Sequence, residues 1–439
     1  MRYRTAIAMP LAMAISASAM ADSETDLELR KIVMQQAAEL AELKARLAQL
    51  EEKSSVKAVA VSGEARTVAS ASSAAPATPA SATESKETGF TIKPRGRIEY
   101  DTVFYDQNDG GRSYNDGSSF RRARLGVQGT LPGNFEYQIE ADFAGGDSVK
   151  LDDTYLRYKF SPNTAVTFGF HKVYHSLESA TSDLDVTFME RHMVSNIFEV
   201  GAGGKMGVSV LQSGSNWSGQ FGVFAGSANS GDANKDGWGF NGRVTWAPIL
   251  EEGKLLHVGL DAYYRNEDDD VLSMGDRPEI RNDSFKPFDS GTLIAESYRY
   301  GNAEIAGVLG PVSAQFEYSV LETSSSTGDQ SFDGYSGQVS YFLTGESRPY
   351  SAGKGYFGKL KPFNPVGEGG MGAFELAARY SRIDLSDAGQ GTYGDNLTLG
   401  INWYPTDAVR FMLNAVDFSA KGALTESGRA YGMRAQVRW

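Results

Sequence analysis

Tyr431-Gly432-Met433-Arg434-Ala435-Gln436-Val437-Arg438-Trp439 alternates apolar and polar residues and stops on an aromatic carboxyl terminus. Side chains of a strand alternate faces, so Tyr431, Met433, Ala435, Val437 and Trp439 face one side and Arg434, Gln436 and Arg438 the other. Hydrocarbon on one side and water on the other would suit that pattern, as in the closing strand of a membrane barrel. A soluble sandwich can also contain one such strand, so the weight comes from repetition. Phe135, Tyr137, Ile139, Ala141 and Phe143 alternate with Glu136, Gln138, Glu140 and Asp142, and Leu256 to Arg265 reads the same way. So do 312–320, 335–343, 397–403 and 409–415. About sixteen such segments are expected, an even number in the size class of water-filled porins, which puts both barrel ends on the periplasmic side.

The composition agrees with a barrel and excludes a helical membrane protein. Hydrophobic residues are 41% of the 439, and mean hydropathy is −0.34. After the N-terminus no apolar run reaches the roughly 18 residues a spanning helix needs. A barrel needs an apolar residue only at every second position. The formal charge is −13, which argues against nucleic acid as a partner. There is no cysteine, hence no disulfide framework.

Four regions are expected. Residues 1–21 carry basic Arg2 and Arg4, a short apolar stretch and Ala19-Met20-Ala21, the pattern of a signal peptide. With the cysteine count, this suggests a Gram-negative envelope. Residues 22–53 hold a heptad, with Val33, Leu40 and Leu47 at a, and Leu29, Leu43 and Leu50 at d. A parallel periplasmic coiled coil is expected, a solitary amphipathic helix being the alternative. The Ala/Ser/Thr/Pro-rich stretch 54–89 reads as a flexible linker, and 90–439 as the barrel.

Connections differ in length. Tight turns are expected at Leu131-Pro132-Gly133-Asn134, Ser161-Pro162-Asn163, Gly310-Pro311 and Tyr404-Pro405-Thr406-Asp407. Stretches 106–118, 227–237, 266–291, 345–371 and 386–391 read as longer loops at the opposite rim, the asymmetry of an outer-membrane barrel. Tyr100, Phe104, Tyr158, Phe160, Trp246, Trp403 and Tyr404 fall at strand ends, where aromatic rings favour the membrane interface.

If the apolar positions face lipid, the alternate ones line the lumen, and many are basic. Lys93, Arg95, Arg97, Arg122, Arg124, Arg157, Lys159, Arg243, Arg265, Arg379, Arg410, Arg434 and Arg438 share that parity. Arg121 has the opposite parity. Fixed guanidinium charges on a narrow low-dielectric wall favour anions. The competing reading pairs each arginine with a lumen carboxylate such as Glu136, Glu140, Asp142, Asp261, Glu317 or Glu375, satisfying structure without selectivity.

Other motifs point nowhere firm. Asp232 to Gly237 opens like a calcium loop, but Arg243 stands where glutamate should close it. His171 and His175 lack a third metal ligand, and Gly201-Ala202-Gly203-Gly204-Lys205 lacks phosphate-loop spacing and reads as a flexible loop. No G-x-S-x-G is present. A channel is expected rather than an enzyme, with no cofactor.

Ser119-Phe120-Arg121-Arg122-Ala123-Arg124-Leu125, Leu177 to Ser182 followed by Phe188-Met189-Glu190-Arg191, His257 to Leu260 before Tyr264-Arg265, Leu343-Thr344-Gly345-Glu346 and Leu399 to Tyr404 resemble, in that order, the phosphate-selective porins of the O/P type. The resemblance runs from about residue 92 to Trp439 and implies a homotrimer of sixteen-stranded outer-membrane barrels passing small inorganic anions such as phosphate. It further implies that 172–200 is an inward-folded constricting loop, with Arg122 and Arg191 at the narrowest zone. Arg97 then looks like a rung of the family's arginine ladder, Arg121 flanks Arg122, and Asp152 or Asp153 supplies a carboxylate beside the constriction. Where phosphate-selective members place loop lysines, this chain has Ser179 and Leu184, with Asp183 and Asp185 nearby. Arg124 and Lys172 stand where those members have aromatics. Anion diffusion is therefore expected more firmly than phosphate selectivity. The alternatives are a porin for another solute and a barrel-anchored envelope or adhesion protein.

Overall fold

The computed structural model describes residues 83–84 and 89–439, except 110–111, 145, 147, 230–236 and 268–269. The segments read as signal peptide and coiled coil, most of the stretch read as linker, and the calcium-like loop at Asp232 lie outside the described residues.

Among those described, sixteen long antiparallel strands follow one another around a closed barrel. They are β1 Thr91–Asp109, β2 Gly117–Leu131, β3 Phe135–Asp142, β4 Thr154–Ser161, β5 Thr164–Val173 and β6 Gly203–Ser213. Next come β7 Trp217–Phe224, β8 Trp238–Glu251, β9 Lys254–Asn266, β10 Ser297–Leu309 and β11 Val312–Ser324. The last are β12 Gln330–Phe342, β13 Ala373–Asp384, β14 Thr392–Tyr404, β15 Val409–Gly422 and β16 Glu426–Arg438. Each pairs with its neighbours in sequence, and β16 pairs with β1 from Arg97↔Arg438 to Asp109↔Ser427, so no edge remains. Trp439 completes the seam by exchanging two backbone hydrogen bonds with Gly96, each 3.2 Å. Thr83–Glu84, inside the stretch read as a flexible linker, adds a two-residue strand against Thr91 and Ile92.

The polarity is inside-out. Along β12, Val339 and Tyr341 are exposed while Ser336, Gln338 and Ser340 are buried. Leu399 and Ile401 on β14 are likewise exposed, with Thr398 and Asn402 buried. Outward apolar residues facing hydrocarbon and inward polar ones satisfying each other are what a membrane barrel requires.

Rim assignment corrects one expectation. Strand direction alternates, so every even-to-odd connection lies at the rim where the barrel begins and ends. The tight turns at 132–134, 162–163 and 310–311 lie there, and so does 343–372, read from its length as belonging to the opposite rim. Strand parity, not loop composition, fixes the side. This connection folds inward: Tyr350–Ser351 pairs with Tyr356–Phe357, Arg243 Nη2 donates to Gly355 O at 2.8 Å, and His257 Nδ1 lies 2.7 Å from the Tyr350 hydroxyl.

At the opposite rim two connections enter the barrel. Segment 174–202 carries short helices α1 Leu177–Ala180 and α2 Met193–Ile197. Segment 267–296, read only as a polar loop, forms a hairpin of Val271–Asp276 and Phe288–Ile294. Met193, Ile197, Phe198, Leu272, Met274, Phe288 and Leu293 pack with wall residues Tyr263, Tyr298, Tyr300, Phe332 and Phe418 in one buried apolar cluster. Gly201 ends a 3-10 turn and Gly203 starts β6, so the glycine stretch expected to be a flexible loop is ordered. Tyr404, assigned above to the outer girdle, turns inward and donates to Glu375 Oε2 at 2.8 Å.

Candidate pore constriction

The inward segment 174–202 turns backbone carbonyls toward the barrel wall, where burial leaves them in need of donors, and arginine, with five N–H donors, is suited to the task. Arg410 donates to Val186 O and Thr187 O, each at 2.6 Å. Arg379 donates to Glu190 O at 3.0 Å, and Arg434 to Met189 O. Asn402 reaches Thr187 O at 2.8 Å, and Gln436 Leu184 O at 3.1 Å. One wall, β13 to β16, thus holds the loop by side chains of inward parity. Arg379, Arg410 and Arg434 are fully buried there, and Arg243 is spent on Glu304 at 2.5 Å. For these residues the structural reading of inward arginine applies. Each such bond to a charged donor contributes about 1.5–3 kcal/mol.

On the other side, between β1 to β5 and the loop, lies a cavity of about 690 Å³. Arg97, Arg121, Arg122, Arg124, Asp153, Lys172 and Arg191 all line it. Its lining holds eleven cationic side chains against six acidic ones, Glu136, Asp152, Asp153, Asp183, Glu190 and Glu199.

Arg121 departs from its parity. Glu99 pairs with Arg122, while the next residue, Tyr100, pairs with Phe120. The ladder skips Arg121, as a β-bulge does when two residues oppose one. Arg121 therefore turns inward beside Arg122, donating through Nε and Nη2 to the two oxygens of Glu190 at 2.7 and 3.0 Å. A doublet of arginines gives no sequence sign of a bulge.

Arg122 Nη1 donates to Glu99 Oε2 at 2.6 Å, and Arg97 Nη2 lies 3.4 Å from Glu140 Oε1. Arg124 Nε bonds Asp142 at 2.8 Å and its Nη1 pairs with Asp152. Arg191 is anchored by Nε to Glu178 O at 3.0 Å and by Nη2 to Thr181 O at 3.1 Å. Lys172 lines the same cavity and forms no ion pair among the described residues. Asp153 is half-buried; burial and then neighbouring Asp152 push its carboxyl up to about 6. Asp183 behaves oppositely. Burial alone would raise it, but Arg122 and Arg191 prevail and hold it well below the usual carboxylate range.

Asp183 and Glu190 were visible in the sequence but not singled out as site residues, because only the inward fold brings them onto the basic wall. His171 and His175 do not converge: His171 Nε2 lies 2.8 Å from Ser209 Oγ, and His175 Nε2 lies 2.8 Å from Ser195 O.

The sequence pattern of the family "Phosphate-selective porin O and P" matches residues 92–439, nearly the whole described chain. The chain belongs to that family. Porin O of Pseudomonas aeruginosa is 30% identical over 374 residues, covering 75% of this chain and 82% of that one. An uncharacterized protein of Caulobacter vibrioides is 31% identical over 360 residues, covering 78% of this chain and 71% of its own. Among solved structures, an anion-selective porin from Comamonas acidovorans superposes with TM-score 0.53 at 12% identity, covering 80% of this chain and 99% of that chain. A loop L8 deletion mutant of OmpT from Vibrio cholerae gives TM-score 0.53 at 12% identity, covering 80% and 100%. At such identity the likeness is one of fold. This porin is therefore an outer-membrane barrel, its lumen entered by 174–202.

Proposed function

We propose that this porin passes small anions by passive diffusion through the cavity between β1 to β5 and the inward loop, and that it works as a homotrimer. The observation that carries the reading is the eleven-to-six excess of cationic over acidic side chains on that cavity. Glu99, Glu140, Asp142 and Asp276, which pair with lining arginines from behind, bring the balance to eleven against ten. The preference for anions is accordingly modest. Charges on a narrow low-dielectric wall focus the field along the path, so even a small excess biases permeation. Phosphate is one permeant among small anions. Ser179, where phosphate-selective members carry lysine, is fully buried, so this chain presents no loop ammonium there. Likeness to the family supports the homotrimer, and a coiled coil at 22–53 would add a second parallel contact through the linker.

Reversal potential across a planar bilayer under a KCl gradient tests the anion reading. A chloride-directed potential is expected, and a potassium-directed one would overturn it. A heat-resistant oligomer about three times the protomer mass tests the assembly.

A further inference from the structure

Asp183 occupies a position that a permeating anion would otherwise take. Its Oδ2 lies 3.3 Å from Arg122 Nε and 3.6 Å from Arg97 Nη1, and its Oδ1 pairs with Arg191 Nη2. The three guanidiniums reach the carboxylate from β2, β1 and the loop, and all four side chains line the cavity. Other nitrogens of Arg97 and Arg122 are already engaged by Glu140 and Glu99. The two that face Asp183, Arg97 Nη1 and Arg122 Nε, are buried and make no hydrogen bond. Asp183 thus neutralises them by charge without satisfying them as donors. Leaving a buried donor unmet costs free energy, so this cradle remains able to bind an anion offering more oxygens than an aspartate does.

We propose that Asp183 is a tethered counter-anion to Arg97, Arg122 and Arg191 on the anion path, a specificity-determining residue that keeps binding of permeating oxyanions weak. This rests on the anion-porin reading and adds to it a reason for weak affinity. A carboxylate gives one oxygen to Arg191 and shares the other between Arg97 and Arg122. A tetrahedral oxyanion such as inorganic phosphate brings additional oxygens and could meet each donor separately. To enter, it must displace a carboxylate that cannot diffuse away. Conduction needs a site weak enough to leave, and a tethered competitor supplies that weakness without removing the arginines that attract the ion.

The test is block of chloride current by inorganic phosphate in the full-length porin. In wild type, phosphate should block weakly. Asp183→Asn keeps size and removes the charge, and should lower the half-blocking phosphate concentration by about tenfold or more, as expected for losing one charge from a focused, partly buried site. Asp183→Glu keeps the charge and should stay near wild type. Adding Arg122→Gln to Asp183→Asn should abolish the new block, which ties it to the cradle. If Asp183→Asn remains anion-selective yet phosphate blocks it no better than wild type, the counter-anion role is wrong and the anion-porin reading stands. If wild type prefers potassium, that reading falls first. Should Asp183→Asn not assemble, Asp183→Ser is measured in the same way, and failure of both to form channels would make Asp183 a folding residue and overturn the proposal.

Discussion

Arg121 and Arg122, adjacent in sequence, both enter the lumen and grip different carboxylates: Arg121 holds Glu190 on the inward loop, and Arg122 holds Glu99 on the neighbouring strand. The bulge in β2 makes this possible. One side chain thereby fixes the loop to the wall while the next borders the path.

Charge reversal at either position should be felt in the pore, contrary to the alternation of the sequence. Arg122→Glu should move reversal potential toward cations and lower anion conductance. Arg121→Glu should do the same and also face Glu190 with a like charge, destabilising the barrel by about 3–5 kcal/mol as breaking a buried pair does. Reversal potentials together with thermal melting of the purified oligomer check this. An Arg121→Glu channel with wild-type selectivity would place the bulge elsewhere.

Arg434→Leu should release the loop. This fully buried guanidinium meets Asp101 Oδ1 at 2.7 Å, Glu190 Oε1 at 2.8 Å and Glu99 Oε2 at 3.3 Å. Its loss leaves three carboxylates without that partner, a cost of about 3–5 kcal/mol. Lower heat resistance with larger, noisier single-channel conductance is expected. A stable variant of unchanged conductance would show the loop to be held without it.

Selectivity should depend on pH through Asp153. Its carboxyl titrates near 6 in the folded porin, against about 3.9 for a free aspartate. Lowering pH from about 7 to about 5 protonates it and removes one negative charge from the cavity lining. Anion preference should therefore rise as pH falls through about 6, and Asp153→Asn should show the low-pH selectivity at neutral pH. His175, pushed down to about 4 by burial, stays neutral over this window. A pH response unchanged in Asp153→Asn would assign the titration to another group.

Closure of the barrel should depend on Gly96 as much as on Trp439. A Cβ at Gly96 would collide with the indole of Trp439 and approach Arg124 O to 3.0 Å. Gly96→Val and Trp439→Ala should therefore both reduce the heat-resistant oligomer recovered from outer membranes, the first by obstructing the seam and the second by removing its interfacial anchor. Normal recovery of Gly96→Val would mean that the terminal ring packs elsewhere.

The alternation from Tyr431 to Trp439 and its repeats were enough to give a barrel of about sixteen strands, because side-chain period two is a local property of each strand. The family pattern in turn brought attention to Arg97, Arg122 and Arg191. Three further features depended on tertiary structure. The bulge at Arg121 is a mismatch between two strands, so neither strand's own sequence displays it. The side on which 343–372 lies follows from the direction of β12 and β13, not from the loop's composition. The division of inward arginines into loop clamps on β13 to β16 and cavity lining on β1 to β5 depends on which wall 174–202 packs against. Asp183 illustrates the limit most clearly: in sequence it is one acidic residue among several, and its charge acquires a role only because the loop delivers it among guanidiniums from β1, β2 and its own turn. Local periodicity specifies which face a residue takes. The partner it meets there is set by contacts between residues far apart in the chain.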